Sequence, residues 1–274
     1  MTTRPVIGIL LDYQEEGSFS RRPHYALRQA YFDAVWTAGG LPVGLPYIAE
    51  GWDDYLNAVG GVIVPGGFYP FPEVYYGGEI VVAEAPHPRH AAEVPLVRAA
   101  IDRDVPLLGI CAGLQVLAAV EGASLIRDLK SEIAGPIDHL NEKPAEEPAH
   151  AVTVMPDTLL HRIVGRDEIM VNTAHNEAPR ALPPTLVVNA VAPDGAIAPT
   201  GNSAWACSGI RNSFWINVIP IRPCFAPWSR PRGERPAIRP GDHRHRRLRH
   251  HGPAHGGMSA GGGGRCLGSR CQEH

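Results

Sequence analysis

One cysteine in this chain stands where a cysteine can act on a substrate. In Val105-Pro-Leu-Leu-Gly-Ile-Cys-Ala-Gly-Leu-Gln-Val-Leu117 an apolar run meets Gly109-Ile110-Cys111-Ala112-Gly113, and an apolar helical stretch begins at once. A strand that turns sharply into a helix at a nucleophile leaves no room for large side chains on either side of it. Glycine two before and two after Cys111 fits that need. Such a turn lifts the thiol clear of the sheet and sets it at a helix N-terminus. There, free N–H groups and partial positive charge favour the thiolate, the reactive form. The chemistry implied is that of a cysteine nucleophile. The plainer alternative is a small buried cysteine at a strand end, since free cysteine is among the most buried residue types.

Other residues carry weaker signals. Pro65-Gly66-Gly67 follows the apolar run Gly61-Val-Ile-Val64 and reads, by itself, as a strand-ending turn. Gln115 is a polar residue on an apolar helix. His87 and His90 stand three apart, but Pro88 between them argues against one helical face holding both. No Asp, Glu or Cys stands at ligand spacing beside them, and no metal or cofactor is implied. The five cysteines are odd in number and include no CxxC pair, so neither a disulfide framework nor a zinc site is indicated. The start lacks the pattern of a signal peptide, and the longest apolar stretch is too short to span a bilayer. A cytoplasmic protein without membrane contact is the expectation.

These residues must be held by an alternation of strands and helices. Pro5 to Leu11 reads as a first buried strand. His24 to Ala38 has helical spacing and stops at Gly39-Gly40; Leu41 to Leu45 is a second strand and Gly61 to Val64 a third. A helix from Ala91 to Arg103, a strand from Val105 to Ile110 and a helix from Ala112 to Val120 follow. Short strands are expected at Ala149 to Met155, Ile169 to Asn172 and Leu186 to Ala192, with Asp194-Gly195 as a hairpin turn. The aromatic-rich loop Phe68 to Gly78 fits a lid or ordinary packing. The expected fold is a three-layer α/β domain over residues 1–200, with a mostly parallel sheet, helices on both faces and Cys111 on a nucleophile elbow.

Gly109 to Gln115 resembles the signature of the class I glutamine amidotransferase family, in which the cysteine attacks a γ-glutamyl amide carbon. The resemblance implies that Gly67 and Ala112 supply the N–H groups of an oxyanion hole, and that Gly66 and Gln115 help hold the substrate. Val171-Asn-Thr-Ala-His175 resembles a segment of the stand-alone hydrolases acting on γ-glutamyl-γ-aminobutyrate and similar amides, and adds His175 to the pocket. Pro5-Val-Ile-Gly8 and Ala38-Gly-Gly-Leu-Pro42 favour the same branch. The implied partner is a small-molecule γ-glutamyl amide, with no cofactor. No synthetase domain follows to receive ammonia, which favours hydrolysis over amidotransfer. The amine released and the oligomeric state are not written in these motifs.

The chain departs from the family at its end. A cysteine nucleophile needs a base and a group that orients it, which the family supplies in a late Gly-Val-Gln-Trp-His-Pro-Glu segment. No His-Pro-Glu occurs in the 274 residues, so the base His and its Glu are absent. Composition breaks at the same place. Residues 1–200 carry 13 Lys+Arg against 25 Asp+Glu; residues 201–274 carry 12 against 3, with six of the 13 histidines. Codon choices exist for Trp205-Ala-Cys-Ser-Gly-Ile-Arg-Asn-Ser-Phe214 that, read from the third base of the tryptophan codon, spell Gly-Val-Gln-Trp-His-Pro-Glu-Phe. A frameshift between Ile197 and Trp205 accounts for both the lost segment and the Arg/Pro/Gly/His-rich tail, which is expected to lack strand and helix. The competing reading is a non-enzymatic protein whose basic tail binds nucleic acid through its phosphates. The frameshift predicts that codons 197 to 214 spell the His-Pro-Glu segment in another frame. Sequencing that stretch of the gene decides it, and codons unable to do so end the idea.

Overall fold

Apolar runs buried on both faces build the centre of the molecule, and the helices between them close over it. The computed structural model describes residues 4–17, 19–78, 87–135, 137–144 and 147–197, with the backbone alone of 206–208 and 214–216. The chain divides into two units after Glu234, and every described residue lies in the first.

β1 (Val6–Leu10) is followed by a hairpin of β2 (Asp12–Gln14) and β3 (His24–Ala26), then α1 (Gln29–Thr37). β4 (Leu41–Leu45) pairs parallel with β1. After α2 (Trp52–Ala58), β5 (Gly61–Val64) takes the other side of β1, again parallel. α3 (Pro88–Asp102) leads to β6 (Leu107–Gly109), parallel to β5, and α4 (Ala112–Val120) leaves it. Parallel strands covered on both sides are expected to be apolar throughout, and these are. Successive side chains point to opposite faces. Ile7, Ile9, Ile63 and Leu108 pack with Val35 and with Tyr31 and Phe32 of α1. Leu10, Val62, Val64 and Leu107 pack with Leu56, Leu96, Val97, Leu114 and Leu117 of the helices opposite. The fold is therefore a three-layer α/β arrangement, as the sequence implies.

The rest of the described chain forms a smaller, mostly antiparallel region. It comprises β7 (Ser124–Ile126), α5 (Leu129–Glu132), β8 (His150–Val154), α6 (Leu159–Val164), β9 (Glu168–Val171), β10 (Ala178–Ala181), β11 (Leu186–Val188) and β12 (Ala190–Val191). β8 lies between β9 and β12, and β10 pairs with β7. Val152, Val154, Leu160, Val171 and Ala190 share a second apolar cluster with Ile126 and Leu129. Among the described residues no helix is long and apolar enough to cross a membrane.

Four of the stretches read from sequence differ, and α2, β7, α5, α6 and β10 form where no element was expected. The helix expected from His24 starts only at Gln29, because His24 to Ala26 pair with Asp12 to Gln14 and Arg28 is extended (φ −62°, ψ 133°). Tyr25, facing Tyr13 in that hairpin, packs its ring on Tyr47. The helix expected from Ala91 starts three residues earlier. Pro88 sits in its first turn, where the missing N–H costs nothing, and the His87 ring caps it by accepting from the Arg89 N–H (3.3 Å). The single strand expected over Leu186 to Ala192 is two, separated at Asn189, whose carbonyl accepts from Met155 N–H (2.6 Å). Finally, the stretch after residue 200 holds two short strands, β13 (Ala206–Ser208) and β14 (Phe214–Ile216). β13 runs antiparallel beside β6, and β14 runs parallel beside β11.

The core predicts where substitution hurts. Leu96 is fully buried between α3 and the sheet, so Leu96→Ala should cost about 2–5 kcal/mol. Leu140, 55% exposed, should cost under about 0.5 kcal/mol on the same change. Urea unfolding followed by circular dichroism measures both.

Candidate active site

The strand β6 ends at Gly109, Cys111 follows with φ 50° and ψ −111°, and α4 begins at the next residue. A positive φ strains any residue with a side chain, and such strain persists only where the surroundings fix it. Here two close backbone approaches fix it. A Cβ at Gly113 would collide with the carbonyl of Val64, at the end of β5. A Cβ at Gly109 would stand 2.7 Å from both the carbonyl oxygen of Gly113 and the nitrogen of Leu114. The expected elbow is present, with its two glycines required by the backbone itself.

Cys111 is a free cysteine, partly exposed as a residue. The sequence reading expects the helix start to favour the thiolate. Burial pushes the thiol up and outweighs the Ala112 N–H and the Arg89 charge, which do act in that direction.

The Pro65-Gly66-Gly67 loop lies against the elbow; a Cβ on Gly66 would be 3.3 Å from that of Cys111. The loop is tied from below by Arg89, a fully buried arginine of α3. Its Nη1 donates to the Gly66 carbonyl (3.0 Å) and Nη2 to that of Pro65. Nη1 also meets Asp12 (3.2 Å), Nε donates to Glu93 (3.2 Å), and Tyr69 donates to the same carboxylate. The Tyr31 hydroxyl accepts from the Gly66 N–H (3.1 Å). Burial pushes the Tyr31 phenol up, so it stays neutral.

Two cavities open beside the thiol, and Gly67, Phe68, Cys111 and Ala174 line both. The smaller, about 360 Å³, runs along Ala112, Gln115, His175 and Glu177; the larger, about 620 Å³, along Asp12, Arg28, Tyr31 and Gly66. Gln115 is buried rather than displayed on a helix surface, and its Nε2 donates to the Glu177 carbonyl (2.8 Å). Burial pushes the Glu177 carboxyl up, and Tyr76 donates to it. The aromatic loop mostly packs: Phe71 is buried, and Tyr69, Tyr75 and Tyr76 reach Glu93, His90 and Glu177. Phe68 alone stands 98% exposed, at the junction of the cavities.

His175 Nδ1 lies 3.1 Å from the Glu177 carbonyl, and Nε2 has no partner. Burial, then the neighbouring His139, brings its pKa down to about 3. His139 pairs with Asp194 (3.0 Å) and lies tilted against His175, with ring centroids 4.9 Å apart. This pair has the form of a base and its orienting carboxylate, but His139 lines a different cavity, with Leu129, Asp138 and Asn176. Among the described residues no group of three His, Cys, Asp or Glu side chains is placed to hold a metal ion.

The structure thus gathers Gly66, Gly67, Cys111, Ala112, Gln115 and His175 around one junction. Sequence reasoning missed Tyr31, Arg89 and Glu177. Arg89 and Glu93 stand four apart, a spacing that pairs opposite charges on a helix, yet nothing local says that the pair is buried under a loop. The segment read as Gly-Val-Gln-Trp-His-Pro-Glu in another frame lies outside the described residues, apart from the backbone of Ala206–Ser208. That backbone starts level with Gly109 and runs toward Leu107, away from the Cys111 end of the sheet.

The chain is similar to known proteins. The peptidase C26 family model matches residues 5–204. A glutamine amidotransferase-like protein of Rickettsia prowazekii is 26% identical over 242 residues, covering 72% of this chain and 85% of that one. The γ-glutamyl-γ-aminobutyrate hydrolase of Escherichia coli K12 is 30% identical over 202 residues, covering 70% and 78%. A glutamine amidotransferase structure from Thermotoga maritima superposes with a TM-score of 0.48 at 18% identity, over 78% of this chain and 75% of that one.

The buried histidines make acid stability a test of the site. An unfolded chain takes up a proton on histidine near pH 6.5, whereas folded His175 does so only near pH 3. Between those values the unfolded state binds more protons, so stability falls as pH falls below about 6.5, by roughly 3–5 kcal/mol at the acid end. His139, also held below its ordinary value by burial, acts in the same direction. Chemical unfolding from pH 7 to pH 4 should show this slope, and His175→Gln should flatten it.

Proposed function

The chain belongs to the peptidase C26 family, of the class I glutamine amidotransferase type, whose members act on C–N amide bonds, and on that premise we propose that it is built as a γ-glutamyl amide hydrolase. The observation that carries this reading is Cys111, held at φ 50° on the elbow between β6 and α4 with the Gly66 loop packed against it. The sulfur attacks the γ-carbonyl carbon, and the oxygen that becomes negative accepts from the N–H groups of Ala112 and Gly67. The C–N bond then breaks, the amine leaves with a proton, and water releases glutamate from the thioester. Oxyanion donors of this kind are each worth about 10²–10³ in rate. Gln115 and Glu177, on the narrower side of the thiol, suit the glutamyl arm, with His175 packed behind them.

The chain as it stands should turn over poorly. Nothing in it matches the His-Pro-Glu segment, and loss of general acid–base help costs about 10²–10⁴-fold. Burial keeps the Cys111 thiol protonated at neutral pH. His175 cannot substitute, because a group with a pKa near 3 is too weak a base. The family match covers residues 5–204 and stops short of the segment that another frame would spell as Gly-Val-Gln-Trp-His-Pro-Glu.

A chain with the frame restored is the direct test. It should release glutamate from γ-glutamyl-γ-aminobutyrate and lose that activity on Cys111→Ala. The present chain should be at least about 10²-fold slower. Its Cys111 alkylation by iodoacetamide should inflect above pH ~8.5, the ordinary thiol value, and move to lower pH once the histidine returns. Equal activity in both chains would dismiss the missing segment as the cause.

A further inference from the structure

Every backbone group of Gly66 is held, and that leaves its neighbour's N–H with one direction to point. The Gly66 N–H donates to the Tyr31 hydroxyl (3.1 Å), and the Gly66 carbonyl accepts from Arg89 Nη1 (3.0 Å). The bond from Gly66 to Gly67 is trans, as no cis peptide is present among the described residues. In a trans peptide the C=O and the following N–H point to opposite sides. A carbonyl drawn down to the guanidinium therefore turns the Gly67 N–H up, into the space beside Cys111. The guanidinium also lies where a Cβ on residue 67 would be, so only glycine permits this approach.

We propose that Tyr31 and Arg89 are positioning residues that grip Gly66 from both sides and so aim the Gly67 N–H at the substrate oxygen. The proposal rests on the reading of Cys111 as nucleophile but adds what holds the oxyanion hole. Arg89 suits the task because its planar fork serves two carbonyls at once, those of Pro65 and Gly66, while Asp12 and Glu93 hold the fork itself. A lysine would supply the charge without the fork. Tyr31 comes from α1, on the opposite face of the sheet from α3. The hole is thereby registered to both outer layers of the domain.

The test compares two reactions at one sulfur. Alkylation of Cys111 by iodoacetamide displaces iodide at a tetrahedral carbon and needs no oxyanion donor. Addition to the aldehyde of 5-oxopentanoate forms a sulfur–carbon bond, moves the carbonyl π pair onto oxygen, and passes the thiol proton to that oxygen. The adduct oxygen lies in the hole. Its formation is read on the present full-length chain by carbon NMR with the aldehyde carbon labelled. Alkylation is read by mass spectrometry as the plateau rate at high pH, which removes the effect of Arg89 on the thiol pKa.

Tyr31→Phe and Arg89→Lys should each weaken the aldehyde adduct at least ~10-fold, a part of the ~10²–10³ attached to losing a donor outright. Each should leave the alkylation plateau within about threefold. Tyr31→Phe removes a single oxygen and guards against misfolding of the buried arginine variant. An adduct unchanged in both variants overturns the clamp, as does a parallel fall of adduct and plateau in Tyr31→Phe. Absence of any Cys111 adduct in the unmodified chain instead overturns the nucleophile reading itself.

Discussion

The end of β5 and the start of α4 approach so closely that no side chain fits between them, and the rest of the site depends on that contact. Gly113 lies against the Val64 carbonyl, and Gly109 lies under the first turn of the helix it precedes. With no slack at either side, the connecting residue has to take a left-handed backbone, and Cys111 takes it. The parallel pairing of β5 with β6 then sets the Pro65-Gly66-Gly67 loop beside the thiol, because both strands end at the same level. This is the general property of open parallel sheets, whose ligand crevices lie beyond the carboxyl ends of the strands.

Around that contact the protein buries a charge. Arg89 sits in α3, Asp12 just after β1 and Gly66 after β5, and all three meet with Glu93 in one network. A buried ion pair is weak evidence for net stability, since desolvation offsets much of its attraction. Removing one partner is another matter and typically costs about 3–5 kcal/mol. The network is better understood as fixing a geometry. Tyr69 serves both its ends, donating to Glu93 and lying 4.9 Å from the guanidinium carbon, face toward it.

Much of this was legible before any coordinates. The strands β4 and β5 and the helix α4 stand where periodicity places them, because apolar runs bounded by glycine and proline leave little choice. The elbow was legible for the same reason: crowding by backbone is a local demand and leaves a local glycine signature. What could not be read were demands made from afar. Tyr31 looks like one more apolar-face residue of a helix until the Gly66 N–H is found on its hydroxyl. His24 to Ala26 carries helical spacing, and only pairing with Asp12 to Gln14 makes it a strand. The net direction of the Cys111 shift could not be read either, because a helix start is visible in sequence, whereas the depth of burial around it is not.

The elbow glycines have one more consequence, and it concerns ancestry. Their necessity is steric, so it outlives any chemistry at the sulfur between them. A lineage that stopped turning over substrate would still be selected against alanine at 109 or 113 for as long as the folded chain was of use. Drift would erase the proton-transfer residues first and this turn last. An intact Gly109-Ile110-Cys111-Ala112-Gly113 is therefore a record of descent and of foldability, and a genome scan that counts such turns as working enzymes will count retired ones with them.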